Sequence, residues 1–576
     1  MLKNVLTTAA VALIISGCAK QPTAEKDATA APPSKADLAL KNGAVYTLDG
    51  SRSWAHAVAI SGGRIVYVGT DKGLDEYVGV GTKVVDLKGR MLLPAFQDVH
   101  IHPISAGIEA KSCNLNGLKT AKEYAAAIKK YADEHPDLPW ITGGGWLMSA
   151  FGPGGMARRE IIDAVVPDRP VYLSSTDGHT TWANSKALAL AGITKDTPNP
   201  RDGRIDRDPK THEAIGSLQE GAGSLVSKVV PPTTAAQRAD GLRYAVKLLN
   251  SYGMTAFTDA SVDEDALKTY KALDEKGELT MRVTASIWWE RGEGLEQIAN
   301  IERLRKEYTG GHVDAGTVKI MQDGVLENYT AVMLQPYLKV PGSVTGIPMV
   351  DPEKLKEVVT QLDAKGFQVH FHAIGDGAVR QALDAIEAAQ AKNGDLGHRD
   401  HISHLELIDP ADVPRFRELH VVANFQPYWA FADEYITKLT IPFMGPDRSS
   451  RLYPIGTLQR SGAMVAFGSD WSVSTANPLE EIEAAVTRMG PAGETKTPFL
   501  PDERIDLPDA LAAFTINAAY VNRIEKQTGS IEVGKLADLV VLDHNLFEIP
   551  PTEIAESKAV LTLFEGKPVH GDPGAL

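Results

Sequence analysis

The sequence predicts an α/β fold: a (β/α)8 TIM barrel, with a β-sandwich composed from both ends of the mature chain and an insertion after the first barrel strand. Three observations carry this. Eight apolar, strand-like runs recur through the middle of the 576-residue chain, several of them separated by amphipathic helices. Short segments of alternating apolar and polar residues, punctuated by Gly-containing turns, precede and follow that body. The gap between the first and second runs is too long for one connection.

The chain opens with Lys3 and a short apolar stretch, "VLTTAAVALII", too short to remain in a bilayer as a spanning helix. It runs into "ISGC", which resembles the lipobox of bacterial lipoproteins. That resemblance implies a signal peptide over 1–18, export, and lipid attachment at Cys18. An ordinary secretory signal with an incidental cysteine is the alternative. Ala19 follows in place of the aspartate that marks inner-membrane retention, so the expected location is the outer membrane, facing the periplasm or outside. Residues 19–36, rich in Ala, Pro and Lys, read as a flexible tether.

Residues 37–93 carry "ADLALKNGAVYTL", "HAVAISGGRIVYVG" and "TKVVDLKGRMLLP", the expected first part of the sandwich. Residues 526–576, with "GSIEVGKLADLVVLD" and "AVLTLFEGKPVH", supply the second part and the tail. The barrel occupies 94–525. Its first run is "MLLPAFQDVHIHP", and the others begin near 253, 281, 316, 366, 399, 420 and 462. Residues 104–250 hold helices and at least one strand-like run, "RPVYLSSTDGH", and are expected to sit over the barrel mouth. A doubly wound open sheet is disfavoured, because no Gly-rich dinucleotide turn follows the first run.

Composition narrows the function. The chain is 43% hydrophobic and 23% charged with a net charge of -15, and it has no basic cluster; nucleic acid is not an expected partner. Only Cys18 and Cys113 occur, which excludes a disulfide framework and a thiolate-rich metal site. Any metal must be held by nitrogen and oxygen.

Such ligands gather at the strand ends, where barrels of this kind carry their chemistry. His100 and His102, two residues apart, leave the first run in one direction. "TVKIMQDG" gives Lys319, with Met321 and Asp323 on the same face. "QVHFHAIGD" gives His370 and His372, the latter nearer the mouth. "HISHLELI" gives His404, on the face opposite His401 by strict alternation, and "VAFGSDWS" ends in Asp470. A buried lysine among histidines has two sensible states. It pairs with a carboxylate as an ammonium, or it takes up CO2 and becomes a carbamate that bridges two cations. Four histidines, a carbamate and an aspartate suit one or two divalent ions, zinc foremost.

In order, "PAFQDVHIHP", "VKIMQDG", "HAIGDGAV", "HISHLELI", "GSDWSV" and "GSIEVGKLADLVVLD" resemble the amidohydrolase superfamily. More narrowly they resemble its amidohydrolase-3 group, the YtcJ-like and N-substituted formamide deformylase-like proteins. The likeness spans about 37 to 570. It implies that His100 and His102 hold the more buried metal, that His372 and His404 hold a second, and that Lys319 bridges them. Asp470 would be both ligand and proton carrier, and His179 in "DGHTTWANSKAL" would lie near the mouth. His179 and Trp471 are candidate substrate contacts. Gln97 and Gly377 depart from the family's usual residues. The implied function is hydrolysis of a non-peptide carbon–nitrogen bond, in an amide or N-substituted formamide, by metal-activated water acting on a small molecule. Ester or lactone hydrolysis on the same site is the alternative within enzymes, and a non-catalytic surface-binding lipoprotein the alternative outside them. "WITGGGWLMSAFGPGG" offers aromatics that either line a hydrophobic substrate wall or pack the insertion.

Overall fold

In the computed structural model, residues 35–152 and 155–576 are described. The signal peptide, nearly all of the tether and the lipid site at Cys18 lie outside the described residues. No helix among the described residues is long and apolar enough to cross a membrane.

The eight strand-like runs form one parallel sheet: β1 (Phe96–Ile101), β2 (Met254–Val262), β3 (Arg282–Trp288), β4 (Val313–Met321), β5 (Gln368–Ala373), β6 (His401–His404), β7 (Val422–Phe425) and β8 (Val465–Phe467). Neighbours in sequence are neighbours in the sheet. The last seam, between β8 and β1, is closed beyond the strand end: Asp470 N donates to His100 O at 2.7 Å, and His102 N to Trp471 O at 2.9 Å. Gly468 belongs to this seam. A Cβ there would stand 2.5 Å from His100 N, so only glycine lets the two segments approach.

The strands are buried on both faces because helices cover the outside. Pro352–Ala364 shows why such a helix forms. Asp351 accepts from Glu353 N and Lys354 N, proline takes the first helical position, and Leu355, Val358, Val359 and Leu362 make one buried stripe. Gly366, at φ 76°, lets the chain turn back into β5. Burying each such aliphatic side chain stabilises the fold by roughly 1.5–3 kcal/mol.

The opposite end of the barrel is plugged. Val99, Val422 and Ala466 pack with Ala518 and Val521 of the helix Ile516–Val521. Just beyond it, Asn522 donates to Gln97 Oε1 at 3.2 Å and accepts from Thr258 Oγ1 at 2.5 Å. Gln97 therefore serves this plug, far from the mouth.

The run 91–103, which reads as one strand, serves two sheets. Met91–Pro94 lies in a six-stranded sheet between Ala44–Tyr46 and Leu539–Leu542, while β1 enters the barrel. The change falls at Ala95: its N–H donates to Asp538 O, and that of Phe96 to Gly253 O, each at 2.9 Å. A four-stranded sheet (Arg64–Gly69, Ala57–Ser61, Leu38–Lys41, Lys83–Asp86) shares a core with the six-stranded one, in which Leu38, Leu40 and Val58 join Leu539, Val541 and Leu561. Arg282 at the start of β3 ties the barrel to these C-terminal strands, paired with buried Asp538 and, at 2.6 Å, with Glu565.

The segment after β1 holds more than one strand. Its six-stranded sheet runs Gly203–Arg207, Ala214–Glu220, Thr180–Ala183, Val171–Ser175, Ile141–Trp146 and Cys113–Asn114. Trp146 in "WITGGGW" is fully buried, with its ring centroid 5.5 Å from Phe151 and 5.7 Å from Trp182. Of the two roles open to these aromatics, Trp146 has the packing one.

Candidate metal centre

Each expected ligand sits where backbone geometry presents it to the barrel mouth. His100 is the penultimate residue of β1, and His102 precedes the helix Pro103–Glu109 without using its side chain as a cap. His404 and Asp470 both have left-handed backbones, at φ 81° and 53°. Non-glycine residues rarely adopt that conformation, and it concentrates at functional sites. It also corrects the alternation argument for β6. His401 and His404 were expected on opposite faces, yet both reach the interior. His401 lies 4.1 Å from the His370 ring, and His404 lies 4.3 Å from the His372 ring. The positive φ turns His404 back toward the axis.

The donor atoms converge. His100, His404 and Asp470 each offer one atom within 4.8 Å of the others. Asp470 Oδ1 is 3.1 Å from His102 Nε2 and 3.5 Å from His100 Nε2. Even so, Oδ1 has no hydrogen-bond partner among the described residues, nor do His372 Nε2 and both ring nitrogens of His404. Buried polar atoms left bare are expensive, and several of them pointing at one space fit a divalent cation with nitrogen and oxygen ligands.

Surrounding residues choose which nitrogen faces that space. His372 Nδ1 lies 3.2 Å from Asp323 Oδ1, which commits Nδ1 and leaves Nε2 free. Asp323 is itself fixed by backbone N–H groups of Val332 (2.9 Å), Ile374 (3.0 Å) and Gly375 (2.9 Å). His100 Nδ1 is engaged by Ser403 Oγ at 2.8 Å and His370 Nε2 at 2.9 Å. Asp98 accepts from His100 N at 2.9 Å and Ser469 N at 3.0 Å, joining β1 to the Asp470 loop. The motif "QVHFHAIGD" put His370 on the site face without giving it this orienting task. Ser403 carried no signal of its role, because its partners His100 and His370 lie on other strands, and neither did Asp98, whose second partner, Ser469, is 371 residues away.

Electrostatics agree with ligation. Burial holds His100, His372 and His404 well below the usual imidazole range, with neighbouring Lys319 adding to the effect at each. Neutral imidazole is the form that binds a metal. Lys319, on β4 level with His370, has its Nζ 3.5 Å from His370 Nε2. Burial pushes its pKa down to about 7, against a smaller pull upward from Asp470.

His179 stands in the turn between Val171–Ser175 and Thr180–Ala183, its ring 5.2 Å from that of His372. Its Nδ1 lies 3.0 Å from Glu220 Oε2. Burial alone would lower its pKa, but Glu220, then Asp177 and Asp470, outweigh it and bring the value to about 9. Trp471 offers its carbonyl to His102 N, while its indole lies against Tyr244, 6.5 Å between centroids. Gly377 packs against Val332, its N–H donating to the Val332 carbonyl at 2.9 Å.

A cavity of about 430 Å³ opens beside the centre; His179 and Trp429 line it, and Trp429 stacks on His404. Its aromatic wall comes from the segment after β7, with Tyr428, Trp429, Phe431 and Tyr435. The stretch "WITGGGWLMSAFGPGG" contributes Leu147 and Ser149 to the lining.

Residues 83–570 match the sequence model of the Amidohydrolase family. The chain is 33% identical over 551 residues to Protein LONG AFTER FAR-RED 3 of Arabidopsis thaliana, covering 93% of this chain and 92% of that protein. It is 26% identical to the N-substituted formamide deformylase of Arthrobacter pascens, over 92% of this chain and 97% of the relative. Its fold is similar to that of an uncharacterized metal-dependent hydrolase from Pyrococcus horikoshii, with a TM-score of 0.69 and 26% identity over 89% of this chain and 99% of the other. The chain of parallel strands, the bare nitrogen and oxygen atoms at their ends and the match over most of the sequence lead to one conclusion: this protein belongs to the amidohydrolase family.

Proposed function

We propose that this hydrolase cleaves a non-peptide carbon–nitrogen bond in a small molecule, an amide or N-substituted formamide. Its metal, zinc by the donor set, would be held by His100, His102, His372, His404 and Asp470. The observation that carries this reading is that His100, His404 and Asp470 bring donor atoms within 4.8 Å of one another while atoms of His404, Asp470 and neighbouring His372 are buried without hydrogen-bond partners among the described residues. The 26% identical formamide deformylase supports the bond type.

A divalent ion there lowers the pKa of water from about 16 to about 7 and polarises a carbonyl. The protein's own residues do the rest. Asp470 accepts the proton as water adds to the carbonyl carbon, then returns it to the nitrogen that leaves. His179, anchored through Nδ1 on Glu220, keeps its other nitrogen for the substrate side of the cavity it lines. Lys319, with its pKa near 7, is available as a neutral amine. That neutral nitrogen would add to the carbon of CO2 and release a proton to solvent, leaving an anionic carbamate that could serve as a further oxygen ligand.

The test is metal analysis of the purified protein together with turnover of matched amides, formamides, esters and lactones, with and without chelator. Chelator-sensitive hydrolysis of amides or formamides is expected. Cleavage of esters or lactones alone would reassign the bond type, and chelator-insensitive turnover would overturn the mechanism.

A further inference from the structure

The cavity beside the centre has an unusual interior. Glu327, Glu406 and Asp433 line it together with aromatic rings, among them Trp429 and Tyr435. None of the three carboxyl groups forms a salt bridge among the described residues. Thr440 Oγ1 donates to Glu327 Oε1 at 3.0 Å, and Ile436 N donates to Asp433 Oδ1 at 2.9 Å. Glu406 is only 3% exposed, and its Oε2 has no hydrogen-bond partner among the described residues. An unpartnered carboxyl oxygen this deep demands either a proton or a positive charge.

Burial raises the pKa of Glu327, with Asp177 and Asp433 contributing. Lys119 and His179 line the same cavity, but neither reaches any of the three carboxyl groups within salt-bridge distance among the described residues; His179 is paired with Glu220 instead. Aromatic faces complete the wall, and these also attract cations. A hard metal ion would prefer an all-oxygen cage with water, and aromatic rings supply none.

We infer that this cavity binds an organic cation, so that the substrate carries a protonated amine whose charge sits among Glu327, Glu406 and Asp433 while its scissile group faces the metal centre. Trp429 connects the two regions, since it lines the cavity and stacks on His404. The inference rests on the amide-hydrolase reading for the reaction, but the recognition itself does not require turnover.

The experiment is calorimetric titration of the metal-loaded, full-length protein with phenethylammonium and with its neutral counterpart 2-phenylethanol. Phenethylammonium is expected to bind at least about tenfold tighter. Glu406→Gln and Glu327→Gln should each bring the ratio close to one, with 2-phenylethanol binding serving as the check that the cavity is intact. Equal binding of the two probes to the wild type would overturn the assignment, as would an ammonium preference that survives both substitutions. In parallel, hydrolysis of a formamide bearing a distal amine is compared with that of its neutral analogue. Ammonium preference without any amide hydrolysis would remove the carbon–nitrogen reading and leave the cation site. Amide hydrolysis with no preference for the charged substrate would remove the cation site alone.

Discussion

His404 lies flat on Trp429, with ring centroids 5.3 Å apart and planes 10° from parallel. Stacking thus orients this imidazole without using either of its nitrogens, both of which stay free of hydrogen bonds. Trp429→Ala should release the ring, lower the occupancy of the metal that His404 helps to hold, and raise KM. Trp429→Phe should restore part of both. Metal titration of the two variants checks this; unchanged occupancy in Trp429→Ala would show that the stack is incidental.

Lys319 and Asp470 should fail differently. Lys319→Ala is expected to lose metal as well as rate, with partial recovery on adding short carboxylic acids that replace the bridge. Asp470→Asn should keep more of the metal while losing on the order of 10²- to 10⁴-fold in kcat, the usual contribution of a positioned proton carrier. Metal content and kcat measured side by side separate the two. A lysine variant with full metal and near-normal turnover would leave Lys319 as a neighbouring charge.

The metal-free protein should show the lysine's burial as a pH dependence. Its folded pKa, about 7, lies below the ordinary value of 10.5, so the unfolded chain binds more protons between those limits. Stability therefore rises with pH across that window, and the full penalty, a few kcal/mol, applies below about pH 7. Lys319→Met should accordingly be more stable than the metal-free wild type near pH 6, with the advantage shrinking toward pH 10. Denaturant melts at several pH values read this directly, and an advantage that grows with pH would contradict it.

Arg282 should be tolerant of replacement only when its partner is replaced too. Arg282→Ala leaves Asp538 buried without its cation and is expected to cost about 3–5 kcal/mol. The double variant Arg282→Met with Asp538→Leu should recover most of that. A double-mutant cycle by chemical unfolding measures the coupling.

Lipid attachment at Cys18 predicts that Cys18→Ser moves the protein from the membrane fraction to the soluble fraction. Fractionation of expressing cells decides it, and unchanged membrane association would refute the lipobox.

The barrel and the polar residues gathered at its mouth were legible because both follow from short-range rules. A strand-end histidine can be seen from its own run, and His100, His102, His372 and Asp470 all end or follow such runs. The inward turn of His404 was not legible, because it depends on one backbone angle that alternation does not encode. Ser403 and His100 are 303 residues apart in sequence, and no local pattern announces that they touch. The role of the aromatics around Trp146 stayed open in the sequence for a related reason. A Cβ on Gly143 would meet Cys113 O at 2.1 Å, so "WITGGGW" is built for close strand packing that draws Trp146 into the insertion's core. The rings that face the cavity follow β7, in a stretch whose role only the assembled barrel defines.

The split at Ala95 sets a timetable for biogenesis. Met91 pairs with Leu542, so the half-strand immediately before the first two ligands finds its antiparallel neighbour only when almost the entire chain has been synthesised. Until then β1 lacks both that anchor and the Asp470 loop that closes against it. The nascent chain thus has no finished cage in which to trap whichever ion it meets first. The site can therefore close only once those last strands have docked.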